Sequence, residues 1–393
     1  MKLLAPKKNK ITFRPDHTSE SPGYRMCRTT VMDTTDPGIK FEANGDSHFV
    51  NYYKKRKKLE IREGENGKLI ISNIVKSIKQ KTKINCICGV SGGVDSSLVL
   101  LRAVQNGLKP LAVHVDNGWN NELAVENIEK ITKKLDVELY TEVLNWELFR
   151  DFQKSFFKAS VPNIEMITDH TIVATLFKVA SNIGVNYILS GSNLSTEAFL
   201  PTNSGHDNKD WKHIRAIQKK FGEKKITKWN KLNSLEFLYM ILVKKIKFIP
   251  FLNYLDYNRD EAKKELLDTC GWKDYGRKHG ESLFTRFFQE YYLPKKFGID
   301  KRRAHLSCQI LAGQISRDEA LNQLNKPLWE PGELEDIIRY VQLKLGFSEQ
   351  EWQKILTAEP RSHENYPINW IFRYSEKAGY KLLRSIATDR HKL

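Results

Sequence analysis

The segment Cys86-Ile87-Cys88-Gly89-Val90-Ser91-Gly92-Gly93-Val94-Asp95-Ser96-Ser97-Leu98 joins an apolar run to a glycine pair and a run of small polar residues. An apolar run from Ile84 to Val90 is short enough for a buried strand, and Gly92-Gly93 then turns the chain into an apolar, helix-compatible segment. A strand, a glycine turn and a helix N-terminus together present several backbone N–H groups to one anion. The stretch therefore predicts an anion-binding loop.

The polar residues of this loop indicate the kind of anion. Ser91, Ser96 and Ser97 add hydroxyl donors, whereas Asp95 would repel a bare phosphate and fits best as a ligand of Mg²⁺ that bridges phosphate oxygens. The loop has no Gly-Lys-Ser/Thr, so it is not a Walker loop. The alternative is an ordinary glycine turn with a Ser/Asp helix cap. The complete Ser-Gly-Gly-Val-Asp-Ser-Ser, placed between strand and helix, favours nucleotide binding.

The motif resembles the pyrophosphate loop (PP-loop) of the ATP pyrophosphatases. The resemblance implies cleavage of ATP between the α and β phosphates and an adenylated intermediate. Asparagine, NAD and GMP synthetases and tRNA thiolation enzymes share this motif, so it implies the first half of the chemistry without naming the substrate.

Apolar segments of strand length alternate with helix-compatible segments after the loop. Predicted strands cover 84–90, 111–115, 137–142 and 186–190, and predicted helices include 95–107, 147–159 and 169–183. This alternation predicts an α/β fold with a doubly wound parallel sheet. The resemblance makes it the adenine-nucleotide alpha-hydrolase-like (PP-loop) type.

Two further polar segments follow predicted strands, Asp116-Asn117-Gly118 and Gly191-Ser192-Asn193. Because ligands bind outside the carboxyl ends of such strands, both should lie beside the loop. Asp116 is a candidate for ribose or metal binding and Glu197 for a second Mg²⁺ ligand, although a capped strand end and a Ser-capped helix start are the alternatives. We expect ATP contacts from Val90, Ser91, Gly92, Gly93, Asp95, Ser96, Ser97, His114, Asp116, Gly191 and Ser192. The expected catalytic residues are Asp95, Ser96 and Glu197, with Asp95 and Glu197 holding Mg²⁺.

Composition limits the class of protein. Among 393 residues, 40% are hydrophobic, which supports a full core, and five cysteines without a disulfide framework fit a reducing, cytoplasmic setting. The apolar run Phe237 to Val243 is far too short for a membrane span, and no signal peptide is predicted. The net charge is +17, and Lys209 to Lys247 holds twelve Lys/Arg against three Asp/Glu. Such a field can attract RNA, a nucleotide sugar or an acidic membrane surface, unless it is simply a solvated basic face.

Shifts in composition divide the chain into four parts. Residues 1–23 are predicted to be a mobile leader, and 24–60 a small loop-rich module. Residues 61–205 form the predicted PP-loop domain, and 206–393 a basic, mostly helical region for substrate or partner.

An ordered series of motifs makes the resemblance specific. The series is SGGVDSS, HVDNGWNNELAVENI, KASVPNIEMITDH, NYILSGSNLSTE, YGRKHGESLFTRFFQEYYLPKKFGIDKRRAHLS and GQISRDEAL. It is similar to the N-acetyl sugar amidotransferases of bacterial surface-polysaccharide (lipopolysaccharide and O-antigen) synthesis, the WbpG and PseA-like group. The likeness runs from about residue 24 to about residue 356.

The resemblance implies that an acetamido group of a sugar becomes an acetamidino group at the expense of ATP, with AMP and pyrophosphate released. Ammonia would come from glutamine through partners similar to the HisH glutaminase and the HisF channelling protein. Nucleotide-linked uronic and nonulosonic acids are both open as substrates. Basic side chains in the C-terminal motif suit carboxylate or diphosphate groups, although structural pairing with Glu281, Glu290 and Asp300 is an equally good account. The candidate substrate residues are His279, Arg286, Lys301 and His305.

The N-terminal module departs from the family. Two Cys-x-x-Cys pairs are usual there, but this chain has Cys27-Arg28-Thr29-Thr30 and Ser47-His48-Phe49-Val50. One cysteine with one histidine cannot complete a tetrahedral site, so no zinc is predicted. The module should instead be anchored by packing of Val31, Ile39 and Phe41, with Tyr52 and Tyr53 behind them.

Two rival functions remain. The charge of +17 suggests a tRNA-modifying member of the superfamily, but Cys86 and Cys88 share one face of a predicted strand, where packing against a helix makes them poor sulfur carriers. The degraded cysteine module suggests a non-catalytic scaffold that docks a glutaminase, against which the intact loop argues. Nucleic acid is not among the expected partners.

Overall fold

The computed structural model describes residues 13–78, 83–202, 204–276 and 280–369. A parallel sheet in the strand order β3-β2-β1-β4-β5 forms its centre. Its strands are β1 (Cys86–Gly89), β2 (Pro110–Asp116), β3 (Leu139–Val143), β4 (Tyr187–Ser190) and β5 (Lys247–Pro250).

Helices cover both faces of the sheet and continue into the C-terminal region. They are α1 (His48–Glu60), α2 (Gly64–Ser77), α3 (Val94–Gln105), α4 (Glu122–Lys134), α5 (Trp146–Ala159), α6 (Met166–Ile183), α7 (Leu194–Glu197), α8 (Trp211–Phe221), α9 (Ser234–Leu242), α10 (Arg259–Cys270), α11 (Leu283–Phe287), α12 (Leu293–Phe297), α13 (Lys301–Ala312), α14 (Arg317–Asn325), α15 (Glu333–Leu345) and α16 (Glu349–Thr357). A π-helical turn, Phe288–Tyr292, joins α11 to α12.

The strand order confirms the predicted doubly wound fold. Strand β1 pairs with β2 on one side and with β4 on the other, so the direction of winding reverses beside β1. Ligands of open α/β sheets bind at such a switch point, outside the carboxyl ends of the strands. The glycine loop follows β1 directly and therefore lies at this position.

Strand β1 is buried on both sides, which explains its apolar sequence. Cys86 and Cys88 face a core shared with α3, α4 and α10, while Ile87 faces the opposite core with α6 and α9. The predicted packing of both cysteines on one face is thus confirmed.

The sequence did not predict β5. It is four residues long and lies in the basic region expected to be helical, where Lys244, Lys245 and Lys247 hide any alternation of apolar and polar residues. Tyr187 of β4 pairs with Lys247 and Ser190 pairs with Pro250. Pro250 is tolerated because β5 is an edge strand.

An aromatic core attaches the C-terminal helices to the sheet. Phe149, Phe152, Phe156 and Phe157 of α5 are fully buried in it, together with apolar residues of α11, α15 and α16. Trp119, just beyond β2, belongs to the same core. This packing holds the C-terminal region against the carboxyl edge of the sheet.

The N-terminal module is held by packing and by ion pairs to the C-terminal helices. Val31 is fully buried against Leu306, and the Arg303 guanidinium lies 2.8 Å from the Asp33 carboxylate. Tyr53 is buried as predicted, but Tyr52 is 45% exposed, so its predicted packing role is wrong. Helix α1 turns Tyr52 outward because adjacent residues on a helix do not share a face.

No helix in the described part of the chain combines the length and the apolar character needed to cross a membrane.

Candidate active site

A cavity of about 580 Å³ opens at the carboxyl edge of the sheet, where the predicted site residues converge. Its walls come from the glycine loop, the ends of β2 and β4, helix α6, and the segment from Glu281 to His305. Of the residues predicted from the sequence, it is lined by Val90, Ser91, Gly93, Asp95, Ser96, His114, Gly191, Ser192, Glu197, Lys301 and His305.

Local contacts shape the glycine loop. Gly92 has a φ of +81°, and a Cβ there would overlap the carbonyl oxygen of Ala124, so no other residue fits. The Trp272 indole donates to the Gly92 carbonyl at 2.8 Å. The Ser96 hydroxyl accepts from the Ser91 backbone N–H at 3.2 Å and donates to the Gly93 carbonyl at 3.1 Å. The loop is therefore built before any ligand arrives.

Asp95 lies in the first turn of α3 and is oriented from two sides. The Tyr257 hydroxyl donates to its Oδ1, and the Asn193 side-chain amide donates to its Oδ2 at 3.3 Å. Burial, and after it the charges of Asp95 and Glu197, raise the pKa of Tyr257 far above its usual value. Asp95 and Glu197 both line the cavity.

Gly191 allows β4 to approach Asp95 closely. A Cβ on Gly191 would lie 2.9 Å from the Asp95 carbonyl carbon and 3.0 Å from the Ser96 backbone nitrogen. The close approach brings Asn193 and Glu197 next to the N-terminus of α3.

His114 serves the scaffold as well as the cavity wall. Its Nδ1–H donates to the Val90 carbonyl at 3.0 Å, and its Nε2 accepts from the Asn120 side-chain amide at 3.0 Å. Asp116 accepts from the Gly118 backbone N–H at 2.9 Å and from Asn120 at 3.2 Å. Asp116 therefore shapes the turn after β2 and does not line the cavity. Gly92 and Ser97, which are also expected to contact ATP, do not line the cavity either.

Two predicted substrate residues lie elsewhere. Arg286 forms ion pairs with Glu290 and Glu333, packs 4.1 Å from the centre of the Trp329 ring and does not line the cavity. Its environment matches the structural alternative that the sequence left open. His279 lies outside the described residues.

Several residues that line the cavity have no signal in the sequence that would identify them. Arg259, at the start of α10, favours the ionised form of both Tyr257 and Tyr275 through its charge, so it lies near both hydroxyls. Thr168 and Tyr275 line the cavity with buried hydroxyls that have no hydrogen-bond partner among the described residues. A ligand would supply the missing partner.

Two protein families match separate segments of the chain. Residues 85–191 match the family described as "Queuosine biosynthesis protein QueC", and residues 281–378 match "LPS biosynthesis protein WbpG-like, C-terminal domain". The chain is a PP-loop protein with a WbpG-like C-terminal domain. The predicted resemblance to a WbpG-like family within the PP-loop superfamily is thereby confirmed, and the loop segment groups the chain with the PP-loop ATP-utilising enzymes.

Two curated relatives match about a third of this chain. An uncharacterised protein of Methanocaldococcus jannaschii is 30% identical over 132 residues, which is 33% of this chain and 46% of the relative. The tRNA-specific 2-thiouridylase MnmA of Vesicomyosocius okutanii is 29% identical over 130 residues, which is 30% of this chain and 35% of that enzyme. The chain thus spans less than half the length of either relative.

Solved structures give a weaker likeness. A predicted subunit of tRNA methyltransferase from Methanocaldococcus jannaschii is 14% identical, with 46% of this chain and 75% of that chain covered. The NH3-dependent NAD synthetase from Campylobacter jejuni is 18% identical, with 43% and 72% covered. Both TM-scores are 0.27, so the fold assignment rests on the strand order and the family matches.

Proposed function

We propose that the protein is an ATP-dependent amidotransferase that converts the acetamido group of a bacterial surface-polysaccharide sugar to an acetamidino group. One observation carries the proposal: the glycine loop and the WbpG-like segment line the same cavity. Asp95 and Ser96 line the cavity from the glycine loop. Glu281, Lys301 and His305 line it from the WbpG-like segment. A substrate bound by the WbpG-like domain would therefore meet the α-phosphate of ATP.

The chemistry explains why both parts are needed. An amide carbonyl is a poor electrophile, and transfer of AMP to its oxygen creates a good leaving group. Ammonia then attacks the carbon and AMP departs, leaving the amidine. No covalent protein nucleophile is required, so catalysis rests on positioning and on neutralising phosphate charge.

The residues that line the cavity fit ATP with Mg²⁺. Asp95 and Glu197 supply carboxylate oxygens, the ligands that Mg²⁺ prefers, and when bound the ion would neutralise charge on the phosphates. The backbone N–H groups at the start of α3 and the hydroxyls of Ser91 and Ser96 would hold the pyrophosphate. Arg259 adds a positive charge, and the unpartnered Tyr275 hydroxyl is available as a donor.

We assign the sugar to the wall formed by the first turn of α6 and by α11. Leu176 of α6 lies against Gly89, and Thr168 lies eight residues earlier, about 12 Å away along the helix axis. This wall holds Glu165, Thr168, Asp169, Thr285 and Gln289, whose oxygens and amide suit sugar hydroxyls. The sequence predicts basic residues for sugar binding. Of those candidates, Lys301 and His305 line the cavity.

Ammonia from a HisH-like glutaminase and a HisF-like channelling protein is part of the same proposal. It follows from the family resemblance.

Incubation with ATP, Mg²⁺, isotopically labelled ammonium and a panel of UDP-linked acetamido sugars tests the reaction. Mass spectrometry should show the label in the sugar, with the amide oxygen carried away on AMP. Label incorporation without ATP, or ATP cleavage that never labels any sugar of the panel with partner proteins added, would contradict the proposal.

The thiouridylase relatives keep tRNA modification as a second candidate. Sulfur transfer would need a cysteine at the ATP site, but Cys86 and Cys88 are fully buried in β1 and no cavity-lining residue in the described part of the chain is a cysteine. The hydrogen bond with the neighbouring Cys86 thiol, and after it burial, raise the pKa of Cys88 well above its usual value, which disfavours a thiolate. Copurification of tRNA, with affinity that falls steeply as salt rises, would revive this function.

A further inference from the structure

Helix α9 carries an exposed apolar stripe that the proposed reaction does not use. Its residues are Leu235, Tyr239, Leu242 and Val243, with exposed fractions of 79%, 47%, 51% and 63%. Spacings of four and three place Leu235, Tyr239 and Leu242 on one side of the helix, and Val243 follows directly at its C-terminal end. The opposite side packs into the sheet core through Ile241, which is 3% exposed.

Positive charge lies at one end of this stripe. Lys244 and Lys245 follow it directly and are exposed. The segment from Lys209 to Lys247 holds twelve Lys/Arg and three Asp/Glu. An apolar stripe and a pair of exposed lysines therefore occur side by side on one surface.

The backbone is strained at Lys245, in the turn that follows α9. Lys245 has a φ of +53°, in the left-handed region where glycine costs least and any residue with a Cβ costs more. A glycine at this position would relax the turn after α9, but it would also remove one of the two positive charges beside the stripe.

We propose that α9 and the two lysines that follow it, Lys244 and Lys245, dock the protein on an anionic membrane surface. The helix would lie flat in the interface, with the apolar stripe in the headgroup region and the lysines reaching the lipid phosphates through their flexible stems. RNA would use the lysines but leave exposed Leu and Val side chains without a partner. The paired apolar and basic features fit a lipid interface, and this inference stands apart from the proposed reaction.

Vesicle cosedimentation tests the docking. The full chain is mixed with vesicles of phosphatidylcholine containing phosphatidylglycerol, or of phosphatidylcholine alone, at low and high salt. We expect binding to the anionic vesicles that weakens as salt rises. Lys244→Gln with Lys245→Gln, and separately Leu242→Ser with Val243→Ser, should each reduce the bound fraction roughly tenfold.

A matched control removes the same charge elsewhere. Lys133 and Lys134 are adjacent, exposed and at the end of α4, which packs on the opposite face of the sheet. Lys133→Gln with Lys134→Gln should leave vesicle binding almost unchanged. An equal loss in this control would mean that net charge alone drives binding and would overturn the proposal.

Lys245→Gly separates docking from stability. It should raise the melting temperature, since strain is relieved, and still weaken vesicle binding several-fold. Absence of binding to anionic vesicles would overturn the proposal. The proposal would also be overturned if α9 variants bound vesicles normally but lost the activity that depends on a glutaminase partner. The surface would then be a docking site for that partner protein.

Discussion

The hydroxyl of Tyr257 donates a hydrogen bond to the carboxylate of Asp95, although 162 residues separate the two in the chain. Tyr257 in turn is held through its backbone carbonyl, which accepts from the Gln314 side-chain amide at 2.9 Å. Gln314 belongs to the segment that matches the WbpG-like domain. The C-terminal domain therefore helps to orient the carboxylate that the proposed mechanism assigns to Mg²⁺.

Asp95→Asn should leave the fold intact and lower turnover roughly a hundredfold or more at saturating ATP and Mg²⁺. Asn can still sit in the first turn of α3 and can accept from Tyr257, but a neutral amide is a much poorer Mg²⁺ ligand. Tyr257→Phe is the control, since it keeps the carboxylate and should mainly raise the Mg²⁺ concentration needed for half-maximal rate. Wild-type turnover in Asp95→Asn would refute the metal role.

Gly191→Ala should destabilise the protein by about 1–3 kcal/mol and raise the KM for ATP, because the new Cβ would push against the backbone of Asp95 and Ser96. Thermal unfolding and initial rates measure the two effects. Gly205→Ala is the matched control, since a Cβ there would meet its nearest neighbour, the Asn163 side chain, at 3.7 Å. Equal behaviour of the two variants would show that the close approach at Gly191 does not matter.

Stability should fall as the pH drops from about 6.5 to about 4. Burial lowers the pKa of His170 and of His213 to about 4 from an ordinary value of 6.5, and His363 is shifted in the same direction. The unfolded chain therefore binds more protons in this window, so stability is complete above it and declines on acidification. Each histidine contributes at most about 1.4 kcal/mol per pH unit.

Denaturant titrations across this pH range measure the slope. The His213 Nε2 accepts from the His363 Nδ1–H at 2.9 Å, so His213→Gln should lower stability at neutral pH and flatten the slope. His17→Gln, near the described N-terminus, is the control and should leave the slope as it is. An unchanged slope in His213→Gln would rule out this histidine pair as the cause.

Purified protein should hold no stoichiometric zinc and should keep its melting temperature in EDTA. The Cys27 thiol accepts from the Ser47 backbone N–H at 3.1 Å, and His48 Nδ1 instead accepts from the Lys40 backbone N–H at 3.2 Å. Within residues 13–78, 83–202, 204–276 and 280–369, no three His, Cys, Asp or Glu side chains are grouped to hold a metal. Elemental analysis with one zinc per chain would overturn this prediction.

The parts of the fold that the sequence predicted are those with local signals. The apolar run of β1, the glycine turn and the first turn of α3 are contiguous, and the rule on strand ends then brought Gly191 and Glu197 to the same edge. Lys301 and His305 were predicted from the family resemblance, and both line the cavity.

The residues that were missed depend on long-range packing. Tyr257 and Arg259 reach the site because α10 packs on α3, and no spacing in the sequence announces that contact. Arg286 carries the same charge as Arg259, yet Glu290 and Glu333 engage it away from the cavity. Charge alone therefore could not separate a ligand-binding arginine from a structural one.

The products formed from ATP distinguish a PP-loop enzyme from other ATPases. The Ser91 to Ser97 loop has no Walker lysine, and the carboxylates that line its cavity suit attack at the α-phosphate. With an acetamido sugar substrate, Mg²⁺ and ammonium, the protein should release AMP and pyrophosphate in equal amounts. Release of ADP and orthophosphate would contradict the proposed function.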